Sequence, residues 1–166
     1  MMNKMKKRWL SVYVENEVGV LARVAGLFSG KLYNLTSLTV GETEQMDTSR
    51  MTISLFSDDR TFEQVKHQLN NMVEVIRVLD YTKVSFHAKE VMYLKITDYQ
   101  DIEPLLLLEN EFAFSIVDSS QQALIIESSA NEQTNNRLMQ KLQQLFPEKI
   151  EVVRGGSVAL ACLHNL

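Results

Sequence analysis

The segment NEVGVLARVAGLFSGKLYNL, residues 16–35, sets Asn16 and Gly19 just before a run of apolar residues at helical spacing and Asn34 just after it. These residue types can do recognition chemistry. A helix start leaves backbone N–H groups without partners, and together with the helix dipole they attract a carboxylate. Glycine has no Cβ, so a ligand can reach the backbone there. Each asparagine side chain carries both a donor and an acceptor. An α-amino acid needs donors for its carboxylate and acceptors for its ammonium. Two asparagines and the helix-start amides supply both without net charge. The same residues also suit a structural role, Asn16 as a helix N-cap and Gly19 as a turn residue. Spacing by itself leaves both readings open.

Other reactive groups form no comparable set. No Ser/His/Asp or Cys/His arrangement stands out around His67, His87, His164 and the single Cys162. Without a CxxC or Cys/His cluster, no structural zinc site is expected. Glu42, Glu44 and Asp47 read as a solvated acidic turn, Leu105 to Leu108 as core or interface, and Lys4, Lys6, Lys7 and Arg8 as a solvated basic arm. No residue is named as a catalytic nucleophile or base.

Positioning the asparagines takes a repeated set of elements. RWLSVYV (residues 8–14) is aromatic and β-branched and predicts a strand. Val20, Leu21, Val24, Ala25, Leu27 and Phe28 mark a helix with one buried face, which Gly30 can end. Residues 35–44 and 50–56 alternate as strands around the polar turn EQMDTS. Ser57 or Asp58 is a candidate N-cap for a helix that turns Phe62, Val65, Leu69 and Met72 inward, and residues 73–84 are strand-rich. In the second half, residues 90–96 predict a strand, 103–110 a short helix, and 112–118 with 123–128 a hairpin. Residues 131–146 predict a helix with Leu138, Leu142 and Leu145 inward, and 150–163 a closing strand. The order βαββαβ thus occurs twice, with a boundary near residues 85–89. The fold class is α+β: two tandem βαββαβ ferredoxin-like domains with antiparallel sheets, residues 1–85 and 86–166. Helices on one face leave the other face and the edge strands open, which predicts dimerisation through a sheet.

Bulk properties narrow the function classes. The chain has 166 residues, 45% apolar and 23% charged, enough to bury a core. No apolar run is long enough to span a membrane, and the basic start is not followed by a signal-peptide core. A lone cysteine fits a cytoplasmic location. The formal net charge of −4 argues against nucleic-acid binding.

Residues 16–44, with SRMTISLF, IRVLDYT, EVMYLKI and EVVRGGSVAL further on, resemble the small, regulatory subunits of acetolactate synthase (acetohydroxyacid synthase). The likeness is most specific in the first third and weakest in residues 97–146. It implies an ACT domain for effector binding and dimerisation, followed by an ACT-like second domain. It implies a non-catalytic chain, without cofactor or metal of its own. Its partner is then a catalytic large subunit carrying thiamine diphosphate, FAD and magnesium, and its effector valine or another branched-chain amino acid. In such subunits the effector lies between two ACT domains, against the first strand–helix loop of one chain and the start of the second strand of the other. Carried over, that names Asn16, Gly19, Val20, Leu21, Asn34 and Leu35. Val18 stands where the family often has proline, Leu32 where it has glycine, and Thr36 where it has glutamate. The second reading is a stand-alone tandem-ACT amino-acid sensor acting on another protein. RNA binding through the similar element order of RRM domains is disfavoured, because RMTISLF lacks the stacking aromatics.

Overall fold

The structure, a computed structural model, describes residues 4–30 and 33–163. Leu32 and His164 lie outside the described residues. The elements run β1 (Lys6–Glu15), α1 (Val20–Gly30), β2 (Leu35–Glu42), β3 (Thr48–Ser57), α2 (Asp59–Asn70), β4 (Val75–Asp80), β5 (Phe86–Thr97), α3 (Glu103–Leu108), β6 (Ser115–Ser119), β7 (Ala123–Ala130), α4 (Glu132–Leu145) and β8 (Ile150–Ala161). They form two four-stranded sheets, ordered β2-β3-β1-β4 and β6-β7-β5-β8, so the βαββαβ pattern occurs twice. Contacts divide the chain into two compact units. One runs through His87 and takes in the chain again from Ala159, and the other is Ala88–Val158.

In the first unit, β1 and β3 pair antiparallel over their full length, from Lys6 opposite Ser57 to Glu15 opposite Thr48. Alternation turns Leu10, Val12 and Val14 of β1 and Met51, Ile53 and Leu55 of β3 to one face, where α1 and α2 cover them. Val20, Val24 and Phe28 of α1, spaced four apart, and Phe62, Val65 and Leu69 of α2 complete this core. Leu21 faces solvent instead, because it sits off that stripe. Asp58, not Ser57, caps α2: its carboxylate accepts from the Thr61 amide at 2.8 Å.

Two features of this unit depart from the sequence expectation. Arg8 is no solvated arm; it lies within β1, 3% exposed, ion-paired to Asp59 and 5.0 Å from the Phe62 ring. The sheet face away from the helices is also covered. Ser11, Thr52 and Ser54 on it are buried. The Phe86 ring packs on Trp9 (5.3 Å) and Tyr81 (5.7 Å), and Arg50 donates to Ser11 Oγ, the Tyr81 hydroxyl and the Ala159 carbonyl.

In the second unit, Met92, Leu94, Ile96, Leu124 and Ile126 of the sheet pack against Leu105, Leu138, Leu142 and Phe146. Phe112 joins this core from the loop before β6. Asn135, fully buried, takes an inward position on α4, whereas Leu145 is exposed. Asn135 donates to Glu90 Oε1 (3.1 Å) and accepts from Ser128 Oγ (2.8 Å), while Glu90 is ion-paired to Arg154. A buried amide placed so is satisfied and ties α4 to β5 and β7. Along β5 the outward residues Val91, Tyr93 and Lys95 stay exposed. No helix among the described residues is long and apolar enough to cross a membrane.

Three carboxylates link this fold to pH. The Arg8 guanidinium hydrogen-bonded to Asp59 holds its carboxyl below the ordinary range, and the Thr61 amide does the same for Asp58. At Asp80 burial pushes upward, but Lys66 Nζ at 2.9 Å and the Thr82 amide prevail and lower it. A carboxyl depressed in the folded state contributes fully above its unfolded value, about 3.9, and loses that contribution as pH falls through the folded value. Unfolding free energy is therefore expected to drop below about pH 4. Asp59→Asn should flatten part of that drop, as urea titrations across the acid range will measure.

Candidate functional site

The loop between β1 and α1 is strapped to the hairpin that joins β2 and β3. The Asn16 amide donates to the Asp47 carbonyl at 2.8 Å. The Asn16 side chain donates from Nδ2 to the Met46 carbonyl (3.1 Å) and accepts at Oδ1 from Ser49 Oγ (2.9 Å). Asn16 thus does not cap α1; the expected capping geometry is replaced by these bonds across the sheet end. The helix starts at Gly19 instead, whose carbonyl accepts from the Arg23 amide at 3.0 Å. Gly19 holds φ +89°, a region L side chains rarely adopt, and a Cβ there would meet Arg23 Nη1 at 3.2 Å. No acidic residue occupies the first turn, and the Leu21 and Ala22 amides have no acceptor among the described residues. The residues that carry these amides, and Gly19 before them, are exposed, an arrangement that suits an anion. Val20 can take part through its backbone, since its side chain is buried in the core.

Asn34 and Leu35 lie at the other end of the sheet. The Tyr33 amide closes the end of α1 on the Phe28 carbonyl (3.0 Å), and Leu35 then enters β2 opposite Leu55. Leu35 is half-buried against the core, while the Asn34 side chain is exposed and unpartnered among the described residues. Asn34 borders a cleft of about 390 Å³ with Tyr33, Thr36, Phe56, Ser57 and Asp58.

The structure therefore separates the expected residues into two groups. Asn16, Gly19, Val20 and Leu21 cluster beside Ser49, whereas Asn34 and Leu35 sit beside Leu55. Six residues of β3 at about 3.3 Å each put them roughly 20 Å apart. One amino acid cannot bridge that span within a single chain. Among the described residues no group of three His, Cys, Asp or Glu could hold a metal ion.

Comparisons with known proteins bear on both groups. Residues 10–77 match the profile of the "AHAS small subunit-like ACT domain", and residues 89–162 that of the "Small subunit of acetolactate synthase". The acetolactate synthase small subunit of Buchnera aphidicola is 34% identical over 160 residues, covering 94% of this chain and 98% of that one. The chain belongs to the acetolactate synthase small-subunit family. The small subunit from Mycobacterium bovis is 35% identical over 158 residues, 94% of this chain and 92% of its own. The crystal structure of the Thermotoga maritima small subunit superposes with a TM-score of 0.83 at 29% identity, over 95% of this chain and 98% of that one. The small-subunit family accounts for both halves of the chain and for its two ACT-like sheets.

Sequence reasoning did not find Ser49, which orients Asn16, or the cleft lined by Ser57 and Asp58. The registers that bring these residues beside Asn16 and Asn34 are long-range and leave no local pattern. Gly19→Ala is expected to cost about 1–2 kcal/mol, because alanine must hold a left-handed φ. Asn16→Ala should cost a similar amount, about 1–2 kcal/mol, through two lost side-chain bonds. Urea unfolding of each variant reads both effects.

Proposed function

We propose that this chain is the non-catalytic regulatory subunit of an acetolactate synthase in branched-chain amino-acid biosynthesis. It associates with a catalytic large subunit, raises its activity, and confers feedback inhibition by valine or a related branched-chain amino acid. Thiamine diphosphate, FAD and magnesium belong, on this reading, to the large subunit.

The separation of the two asparagines carries the proposal. The loop at Gly19 offers amide donors suited to a carboxylate, and the β2 start offers a second polar side chain some 20 Å away. These halves become one site only when a second copy brings its β2 start to the first copy's loop. That arrangement makes effector binding and dimerisation one event, so an amino acid that fills the site stabilises the dimer by mass action. The membership of the chain in the small-subunit family supports the choice of catalytic partner.

Mixing with an acetolactate synthase large subunit tests the reading. The chain should stimulate pyruvate condensation and make it valine-sensitive. Asn34→Ala should still stimulate but lose a charged-group hydrogen bond of about 1.5–3 kcal/mol, so inhibition should need roughly tenfold to hundredfold more valine. An unchanged activity in the mixture, or wild-type valine response in Asn34→Ala, overturns it.

A further inference from the structure

The helix-free face of the first sheet carries a row of positive charge that the chain does not neutralise. Strand register sets Gly41 of β2, Arg50 of β3, Tyr13 of β1 and Arg77 of β4 side by side. Arg50 is half-buried and fixed in place. It donates from Nε to Ser11 Oγ (2.7 Å), and from Nη2 to the Tyr81 hydroxyl (2.8 Å) and the Ala159 carbonyl (2.7 Å). These acceptors are all neutral, and Arg50 Nη1 has no acceptor among the described residues. A guanidinium withdrawn from water is ordinarily paired with an anion, so this one points to an anion from outside. The rest of the row agrees. Arg77 is exposed and has no partner among the described residues. The Tyr13 ring lies between the two strands that carry the arginines, 5.3 Å from the Arg50 guanidinium carbon. Glu15, further along β1 on the same face, pairs with neither arginine. At the other end Gly41 is exposed, and a Cβ there would meet nothing within 4 Å.

We propose that the row Arg50, Tyr13 and Arg77 docks a carboxylate-bearing segment of the catalytic large subunit. The proposal rests on the regulatory reading above and names a surface through which the association occurs. Neighbouring strands lie about 4.8 Å apart, so the Cα atoms of the two arginines are roughly 10 Å apart. Both guanidinium groups can then reach one acidic side chain above Tyr13. Arg50 is held by its hydrogen bonds in advance, so little side-chain freedom is lost when it takes a carboxylate. The row is an open strip of sheet from Gly41 to Arg77, a shape that a protein segment can cross. The chain as a whole has a formal net charge of −4, so an acidic partner is repelled elsewhere and steered to these cations.

Titrating the full chain into an acetolactate synthase large subunit tests this with two variants. Arg77→Glu removes one docking cation, and Gly41→Glu sets a carboxylate of the chain's own beside Arg50. Both should melt at least as high as wild type and bind L-valine as wild type does by calorimetry. Each should nevertheless need about tenfold or more of the chain for half-maximal stimulation. Added salt should weaken wild-type stimulation more steeply than that of Arg77→Glu. If wild type stimulates and either variant does so at the wild-type midpoint, the docking assignment alone falls and the regulatory reading stands. Altered self-association of Arg77→Glu in sedimentation, with stimulation unchanged, gives the row to a second copy and overturns the assignment. Calorimetric binding of inorganic phosphate that Arg77→Glu abolishes, with stimulation unchanged, gives the row to a free anion and also overturns it. A wild-type chain that neither binds nor stimulates the large subunit overturns the regulatory reading, and the docking surface with it.

Discussion

The ten-residue antiparallel ladder between β1 and β3 is the constraint on which the first unit depends. Its register sends Leu10, Val12, Val14, Met51, Ile53 and Leu55 to the helices together, because a slip of one residue would turn every one of them to the other face. The same register places the chemistry at its two ends. At one end Ser49, next to the last pair, reaches Asn16 and holds the loop ahead of α1. At the other end Ser57, opposite Lys6, leads into the Asp58 cap of α2. Sheet length, not loop flexibility, keeps Asn16 and Asn34 about 20 Å apart.

The two units handle buried charge in parallel ways. In the first, Arg8 lies under the start of α2 with Asp59 as partner and Phe62 beneath its guanidinium. In the second, Glu90 is ion-paired to Arg154 and also accepts from Asn135. Desolvating such pairs offsets much of their attraction, so neither adds greatly to net stability by itself. What each does is fix a relation between elements: Arg8 ties β1 to the N-terminus of α2, and Glu90 ties β5 to α4 and β8. Removing Asp59 or Arg154 would leave Arg8 or Glu90 buried without its ionic partner, which is far costlier than the pair is favourable.

The order of elements was legible in the sequence because each carried a strong local period. Helix α1 announced itself by Val20, Val24 and Phe28, and β3 by its alternation. The errors fall where a long-range partner decided the outcome. Arg8 looks like part of a solvated basic run until Asp59, fifty-one residues away, is placed against it. Leu145 fits the helical stripe of α4 as well as Asn135 does not, yet Asn135 is inside because Glu90 and Ser128 satisfy its amide. Asn16 has the composition of an N-cap, but the β2–β3 hairpin takes both ends of its side chain. In the candidate site, identity and location of the asparagines were readable; their distance from each other was not, since it is set by the β3 register.

On the proposed reading, that distance gives the site its logic. A donor-rich loop and a polar strand start in contact with one another within a single chain would satisfy each other and need no ligand. Held apart by a rigid sheet, neither can collapse onto the other. The Leu21 and Ala22 amides keep donors without an acceptor among the described residues. A zwitterion is complementary to the pair, because its two charged groups carry the opposite demands on adjacent bonds. Neither a simple amine nor a simple acid can satisfy both halves. On the proposed reading, a site completed by two copies favours α-amino acids over their single-charge relatives by polarity.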